Sequence, residues 1–470
     1  MPQPSASFSA TLRVRLQDRP GAFAAVAQAI GGCGGSLDAI DLVRVLPGHK
    51  LRDITVLATD AEHVERITEA VAAVPGVTVE RVSDRTFLLH LGGKIEVRSR
   101  VAIKTRDDLS MVYTPGVGRV TQAIARDSEA AWTLTSKGNS VAIVTDGSAV
   151  LGLGNTGPLS ALPVMEGKAV LFRELAGINA WPLCLATTDP ERIVQVVAAI
   201  APSFGGINLE DIAAPRCFTV EQRLRELLPI PVFHDDQHGT ATVVLAALLN
   251  ALRVAGKRLE DVRIVIAGVG AAGTATARML RAAGARQIIG CDPHGALHRG
   301  RTDLDEAGRA LAEWTNPDQL TGATDAVLRG ADVFVGLSAP GAASIAGVRT
   351  MQPGSIVFVL ANPVPEIWPE ELEGVAGIIA TGGSDYPNQI NNALAFPGVF
   401  RGALDCRATA ISEGMQLAAA RALAGTVPEA ELAVDLVVPS IFNREVVGAV
   451  SRAVIEAAVA EGLGRATEAS

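Results

Sequence analysis

"DVRIVIAGVGAAGTATARMLRAAGARQIIGCD", Asp261 to Asp292, decides the fold of the region around it. RIVIA is apolar and rich in β-branched residues, as a buried strand requires. Gly268, Gly270 and Gly273 follow in the spacing G-x-G-x-x-G, then a helical stretch, then a second apolar run ending in Asp292. The three glycines serve a tight turn, the approach of the backbone to a pyrophosphate and close helix packing, while the helix N-terminus favours phosphate charge. A carboxylate at Asp292 accepts from a ribose 2′-hydroxyl and repels a 2′-phosphate, which predicts NAD in preference to NADP. The nearby "HGALHRGR" offers Arg299 and Arg301 to a 2′-phosphate if its loop folds back, so NADP stays open as the alternative. Further apolar runs, "ADVFVGLSAPG", "SIVFVLANPVPE" and "AGIIATGG", end in small or polar residues and extend the doubly wound sheet. Asn362, Asn391 and Asn392 lie near those ends, where they either meet cofactor and substrate or serve turn geometry.

The stretch just before this region carries the polar chemistry. "VFHDDQHGTATVVLAALL", Val232 to Leu249, sets two aspartates and two histidines between a short strand and a long apolar helix. Upstream, "FGGINLEDIAAPRCF" places Glu210 and Asp211 after a turn. Adjacent acids commonly form a solvated helix N-terminus. Together, however, Glu210, Asp211 and one of Asp235 and Asp236 supply hard oxygen ligands at two strand ends, which suits Mg²⁺ or Mn²⁺. His234 and His238 favour zinc, but no cysteine partner accompanies them. Lys168 sits inside "EGKAVLFRELAGI", an apolar helix. It either snorkels from a helix end or, lowered in pKa by desolvation, acts as a general base. A second G-x-G-x-x-G, at Gly152, Gly154 and Gly157, is followed at once by Pro158 and lacks a following strand that ends in an acid, so it reads as a substrate-side loop. Tyr113 precedes a Pro-Gly turn.

From Ser7 to Arg85 the period of the pattern shortens. "SATLRVRL", "SLDAIDLVRV", "RDITVLAT" and "GVTVERV" read as strands, and "GAFAAVAQAIGGC" and "AEHVERITEAVAAV" as helices, in the order βαββαβ of a ferredoxin-like unit. With the turn "LQDRPGAF", this block resembles an ACT domain, a small-molecule-binding regulatory module. The resemblance implies an amino-acid or metabolite effector near Asp18, Arg19 and Gly21, at an interface between paired units.

Composition sets the outer limits. The 47 glycines and 48% hydrophobic residues fit an α/β protein with many strand-to-helix turns, and a formal net charge of −9 gives no basic face for nucleic acid. Five scattered cysteines suggest neither a disulfide framework nor a zinc knuckle. The start has no apolar signal core, and no uninterrupted apolar run reaches the roughly 20 residues that span a bilayer. A soluble cytoplasmic protein without membrane contact is expected. The blocks give three domains: 1–85, 86–237 and 238–470.

From about Thr86 to the C-terminus the chain resembles a malic enzyme of the short bacterial type, on "YTPGV", "GLGNTGP", "EGKAVLF", "NLEDI", "FHDDQHGTA", "GVGAAG", "ANP" and "NNALAFPG". The resemblance implies oxidative decarboxylation of malate to pyruvate and carbon dioxide with NAD and Mg²⁺ or Mn²⁺, in a homo-oligomer. It makes Tyr113 the general acid and Lys168 the base, with Asp235 holding Lys168 by an ion pair. Glu210, Asp211 and Asp236 become the metal ligands, and Asn362 and Asn391 donors to the substrate carboxylate. One departure stands out: larger malic enzymes carry a carboxylate-binding arginine where "DGSAVLGLG" has Ala149. A malolactic lyase and an ACT-linked amino-acid dehydrogenase are the alternatives, and the metal acids speak against the second. A non-enzymatic sensor would need a damaged site, whereas every catalytic residue type is present.

Overall fold

The computed structural model describes residues 4–465. The chain divides into two compact units, residues 1–96 and 97–470. In the first, strands β1 (Ser5–Gln17), β2 (Ser36–Leu46), β3 (His49–Ala58) and β4 (Val77–Asp84) form an antiparallel sheet in the order β2-β3-β1-β4, with helices Ala22–Gly32 and Ala61–Ala72 between strands. Alternation along β1 explains the layering: Leu12, Val14 and Leu16 are buried with Val26, Ile30, Ile67 and Val71, while Arg13 faces away and clasps Asp53 through two bonds of 2.7 Å. The βαββαβ expectation holds. Helix Arg85–His90 still belongs to this unit, tied back when the Thr86 hydroxyl donates to the Ser7 carbonyl.

The second unit carries two sheets. Strands β5 (Ser140–Thr145), β6 (Asn179–Cys184), β7 (Gly206–Leu209) and β8 (Val232–His234) pair in parallel in the order β6-β5-β7-β8. Strands β9 (Arg263–Ala267), β10 (Gln287–Asp292), β11 (Gly295–Ala296), β12 (Val333–Gly336), β13 (Ile356–Val359) and β14 (Ile378–Thr381) run in the order β11-β10-β9-β12-β13-β14, parallel except for the short edge strand β11. The strand order reverses direction between β9 and β12, which opens a crevice at their carboxyl ends.

Helix Asp235–Ala255 links the sheets. By length and composition it could cross a membrane, yet most of it lies inside the protein, with Val243 through Leu248 fully buried. It is a core helix whose first turn is acidic. Beside it an aromatic cluster joins the two sheets' surroundings. Phe172 lies 4.6 Å from Phe396 and 5.4 Å from Phe400 between ring centroids, and Phe400 meets Phe233 at 5.8 Å. Truncating one such buried ring to alanine costs roughly 3–5 kcal/mol.

The loop after β9 gives each glycine its own reason. Gly268 has φ 93°, and a Cβ there would lie 2.3 Å from the Leu337 carbonyl oxygen. Gly270 faces open space, and a Cβ on Gly273 would lie 1.8 Å from the Gly268 carbonyl. Two glycines are thus demanded by the protein's own backbone, and the middle one leaves room for a ligand. Gly273→Ala should therefore push the helix off the strand and weaken NAD binding at least about tenfold, near 1.4 kcal/mol. Calorimetric titration with NAD checks this, and affinity equal to wild type would refute the close-packing role.

Candidate active site

Strands β7 and β8 are neighbours and parallel, so the residues that follow them emerge side by side. Glu210 and Asp211 leave β7, while Asp235 and Asp236 begin the helix after β8. Oxygens of Glu210, Asp211 and Asp236 lie within 4.8 Å of one another. The backbone N–H of Asp211 donates to Asp236 Oδ2 at 2.8 Å. Lys168 comes from helix Pro158–Ala176 and is only 7% exposed. Its ammonium meets Asp235 Oδ2 and lies 2.5 Å from Glu210 Oε2 and over the Phe396 ring, 4.5 Å from its centroid.

Crowding sets the charges. Burial pushes the Asp211 carboxyl up to about 8, helped by repulsion from Asp236 and Glu210. Burial also raises Glu210 to about 7, against the pull of Lys168, and Asp236 to about 6. Asp235 goes to about 7 for the same first reason. Lys168 differs from the expectation that desolvation lowers it: burial does pull it down, but Asp235, Glu210 and Asp236 outweigh burial and hold it raised. Desolvation was legible in the apolar helix, whereas the three carboxylates arrive from other elements.

Do these residues fit a hard divalent cation? Asp211 Oδ2 is buried without a hydrogen-bond partner, an unpaired acceptor on one of the three clustered carboxylates. Such an oxygen is costly unless a cation takes it. The all-oxygen set suits Mg²⁺ or Mn²⁺. His234 Nδ1 borders the set, 3.7 Å from Asp236 Oδ2, while His238 turns away to Glu221. His238 donates its Nε2–H to the Glu221 carboxylate, 2.8 Å from Oε1, and His234 is fully buried, with its pKa lowered to about 4 chiefly by that burial.

Three supports escaped sequence reading. Glu221, 5% exposed, accepts from the His234 backbone N–H at 3.3 Å and from Gln237 Nε2 at 3.2 Å, so it braces the start of the acidic helix. An acid among Cys217, Val220 and Leu224 on a buried helix face was the available signal. Asn208 Nδ2 donates to Glu210 Oε2 at 2.9 Å from inside an apolar strand. Phe396 belongs to "NNALAFPG", yet its place against Lys168 depends on tertiary packing.

Other expected residues fall less centrally. Tyr113 ends helix Arg106–Val112 with its side chain 65% exposed and takes no part in the buried cluster's bonds. Asn391 uses its side chain to accept from the Ala393 N–H at 2.9 Å, a turn role. Asn362 is exposed, but a Cβ on Gly152 would lie 2.1 Å from its carbonyl oxygen, so the Gly152 loop is pressed against it. Ala149 lies beside the acids, its N–H donating to the Asp211 carbonyl at 3.0 Å. On the nucleotide side, a groove of about 410 Å³ is lined by Gly268, Asp292, Thr324, Asp325 and Ser338, matching the glycine cradle.

A dinucleotide crevice joined to a carboxylate cluster and a buried lysine defines an oxidoreductase of the metal-assisted kind. Residues 92–225 match the malic enzyme N-terminal domain, 237–459 the malic enzyme NAD-binding domain and 10–76 the ACT domain. The chain belongs to the malic enzyme family, and its last domain binds NAD. It is 55% identical to an NAD-dependent malic enzyme of Geobacillus stearothermophilus, over 98% of this chain and 96% of that one. A bifunctional malic/malolactic enzyme of Bacillus subtilis is 49% identical over 82% of this chain and 96% of its own. A malic enzyme structure from Pyrococcus horikoshii superposes with a TM-score of 0.76 at 46% identity, covering 80% of this chain and 89% of that one.

If the carboxylates hold the cation, Glu210→Gln and Asp236→Asn should each raise the Mn²⁺ concentration for half-maximal binding by roughly tenfold or more, since each removes an anionic ligand. Mn²⁺ titration followed by electron paramagnetic resonance measures it. An unchanged metal affinity in either variant would remove that residue from the set.

Proposed function

We propose that the chain oxidises malate and releases pyruvate and carbon dioxide, using NAD and a divalent cation held by Glu210, Asp211 and Asp236. The observation that carries this is Lys168, buried between Asp235 and Glu210 beside an unpaired Asp211 oxygen. Asp235 positions the lysine, and Lys168 takes the proton from the substrate hydroxyl. With the carboxylates committed to a cation, their hold on the ammonium falls, and burial then favours the neutral amine that a base needs. The cation would supply Lewis-acid polarisation of the hydroxyl oxygen and of the carbonyl that replaces it, and NAD would accept the hydride from C2. Tyr113 returns a proton to C3 after decarboxylation, and Asn362 and Asn391 bind the substrate carboxylate.

The assembly is a homo-oligomer, supported by the exposed apolar side chains Val97, Val101, Ile103 and Met111 ahead of Tyr113. The five cysteines are unpaired, which suits a cytoplasmic setting. A second reading, release of lactate with the nucleotide retained, draws on the malic/malolactic relative. Malate, Mn²⁺ and NAD followed at the nicotinamide absorbance, with pyruvate and lactate measured together, separates the two. Lys168→Ala should lower turnover by at least about 1,000-fold, within the span of general-base losses, while NAD affinity stays within twofold of wild type. Substantial turnover in that variant would show that another group takes the proton.

The ACT unit binds a small effector, an amino acid or central metabolite, beside Asp18, Arg19 and Gly21 where two such units pair. Gly21 has φ 82° with open space beyond its α-carbon, and the edge strand β2 exposes Leu42, Val43 and Val45, an apolar surface for pairing. The effector changes catalysis only by preferring one arrangement of the oligomer. Calorimetric titration of the full chain with amino acids and metabolites should find one that binds and alters kcat. A chain beginning at residue 92 should lose that response while still oxidising malate. Absence of any binding, with dissociation of the shortened chain in sedimentation, would make the unit a clamp instead.

A further inference from the structure

Asp292 ends β10 where a dinucleotide's adenosine ribose is read, but it does not stand alone. Arg301, 10% exposed on its side chain, lies against it with every donor engaged. A guanidinium has five N–H groups. Nε donates to Asp303 Oδ1 at 3.0 Å, and Nη2 to Asp303 Oδ2 at 2.6 Å and to Asp292 Oδ2 at 2.8 Å. Nη1 donates to Asp292 Oδ1 at 2.8 Å and to the Gly295 carbonyl at 3.3 Å. Asp292 Oδ1 also accepts from the His294 N–H at 2.8 Å, so Oδ2 is the oxygen with an acceptor position left for a hydroxyl.

We propose that Asp303 is a specificity-determining residue that holds the enzyme to NAD by masking the Nε/Nη2 edge of Arg301, a fork otherwise able to take a 2′-phosphate. The inference rests on the dinucleotide reading of the β9–β10 crevice. Two carboxylates around one guanidinium leave a local charge of −1, which opposes a phosphate monoester carrying roughly −1.5 to −2 at neutral pH. Without Asp303 the local charge becomes zero and two parallel donors are released on one edge, the arrangement by which arginine binds phosphate bidentately. Those donors adjoin Asp292 Oδ2 through the shared Nη2, so they lie next to the position that reads the 2′-oxygen. Buried Leu297 and Leu304 anchor the loop on both sides, which keeps Arg301 in place when Asp303 is lost. Asp303 itself is 53% exposed, and its surface ion pair contributes little to stability.

The test measures affinity of the full chain by calorimetry for NAD, NADP and adenosine 2′,5′-bisphosphate, alongside kcat/KM with each nucleotide. Asp303→Ala should strengthen adenosine 2′,5′-bisphosphate binding roughly tenfold and shift the NADP-to-NAD preference by a similar factor, as expected for newly freed charge-assisted bonds. Adding Arg301→Met should cancel the gain. An unchanged preference in Asp303→Ala overturns the proposal, and so does a gain that survives Arg301→Met, because charge alone would then account for it. Asp303→Asn, which keeps the side-chain volume, replaces the alanine variant if that one melts early. Wild type failing to bind NAD at all would instead defeat the dinucleotide reading, a separate outcome.

Discussion

Four carboxylates, Glu210, Asp211, Asp235 and Asp236, gather around a single ammonium, that of Lys168, at the end of the smaller parallel sheet. Such a group is expensive to bury, because each charge gives up water and only one cation answers them. The raised carboxyl pKa values of Glu210, Asp211 and Asp235 record that cost. Removing either partner of a buried pair is worse than keeping both, so the lysine and its acids hold one another in place. The surrounding chain is organised to bear this. Asn208 and Glu221 supply directed polar contacts, and the fully buried Phe172, Phe396 and Phe400 rings pack together with Phe396 against Lys168.

Helix Asp235–Ala255 answers two demands at once. Its acidic first turn lies at the positive end of the helix dipole, which favours carboxylates there. Its remaining length is apolar on nearly every side because it runs between the two sheets' layers, with Val243 through Leu248 all buried. A helix with this composition at a surface would be an aggregation hazard, and in the core it is the axle of the unit. Gly239 marks the transition. A Cβ there would lie 1.8 Å from Asp235 Oδ1, so the glycine is what allows the acid that holds Lys168 to lie back along its own helix.

Features that depend on neighbours in the chain were readable: the glycine spacing after β9, the acid ending β10 and the alternation along β1. The paired acids at 210–211 and 235–236 were readable as candidates, since two short apolar runs ending in acids suggest neighbouring strand ends. What could not be read is anything set by how separate elements meet. The net direction of the Lys168 shift required knowing that three carboxylates, one after β7 and two in the first turn of the helix after β8, reach one amine. Glu221 resembles any helical acid until the helix face is known to be buried, and the engagement of Arg301 by Asp303 needs the loop's fold. Tyr113 shows the opposite limit: the motif around it was legible, but its exposed position lies outside the cluster that the motif implies.

The contact between Gly152 and Asn362 ties the smaller sheet to the larger one. Gly152 belongs to the loop that follows β5 in the smaller sheet, and Asn362 to the segment that leaves β13 in the larger one. Their backbones approach so closely that a Cβ at 152 would lie 2.1 Å from the Asn362 oxygen and 2.8 Å from Pro363 Cδ. On the function proposed above, a hydride would pass between a substrate at the smaller sheet and NAD at the larger one, and a misplacement of about 1 Å can cost on the order of a hundredfold in rate. A side chain at 152 would have to separate the two loops, and the added distance would fall on the transfer itself. Glycine at this position is therefore a requirement of alignment between sheets, distinct from the conformational needs met by glycines with positive φ.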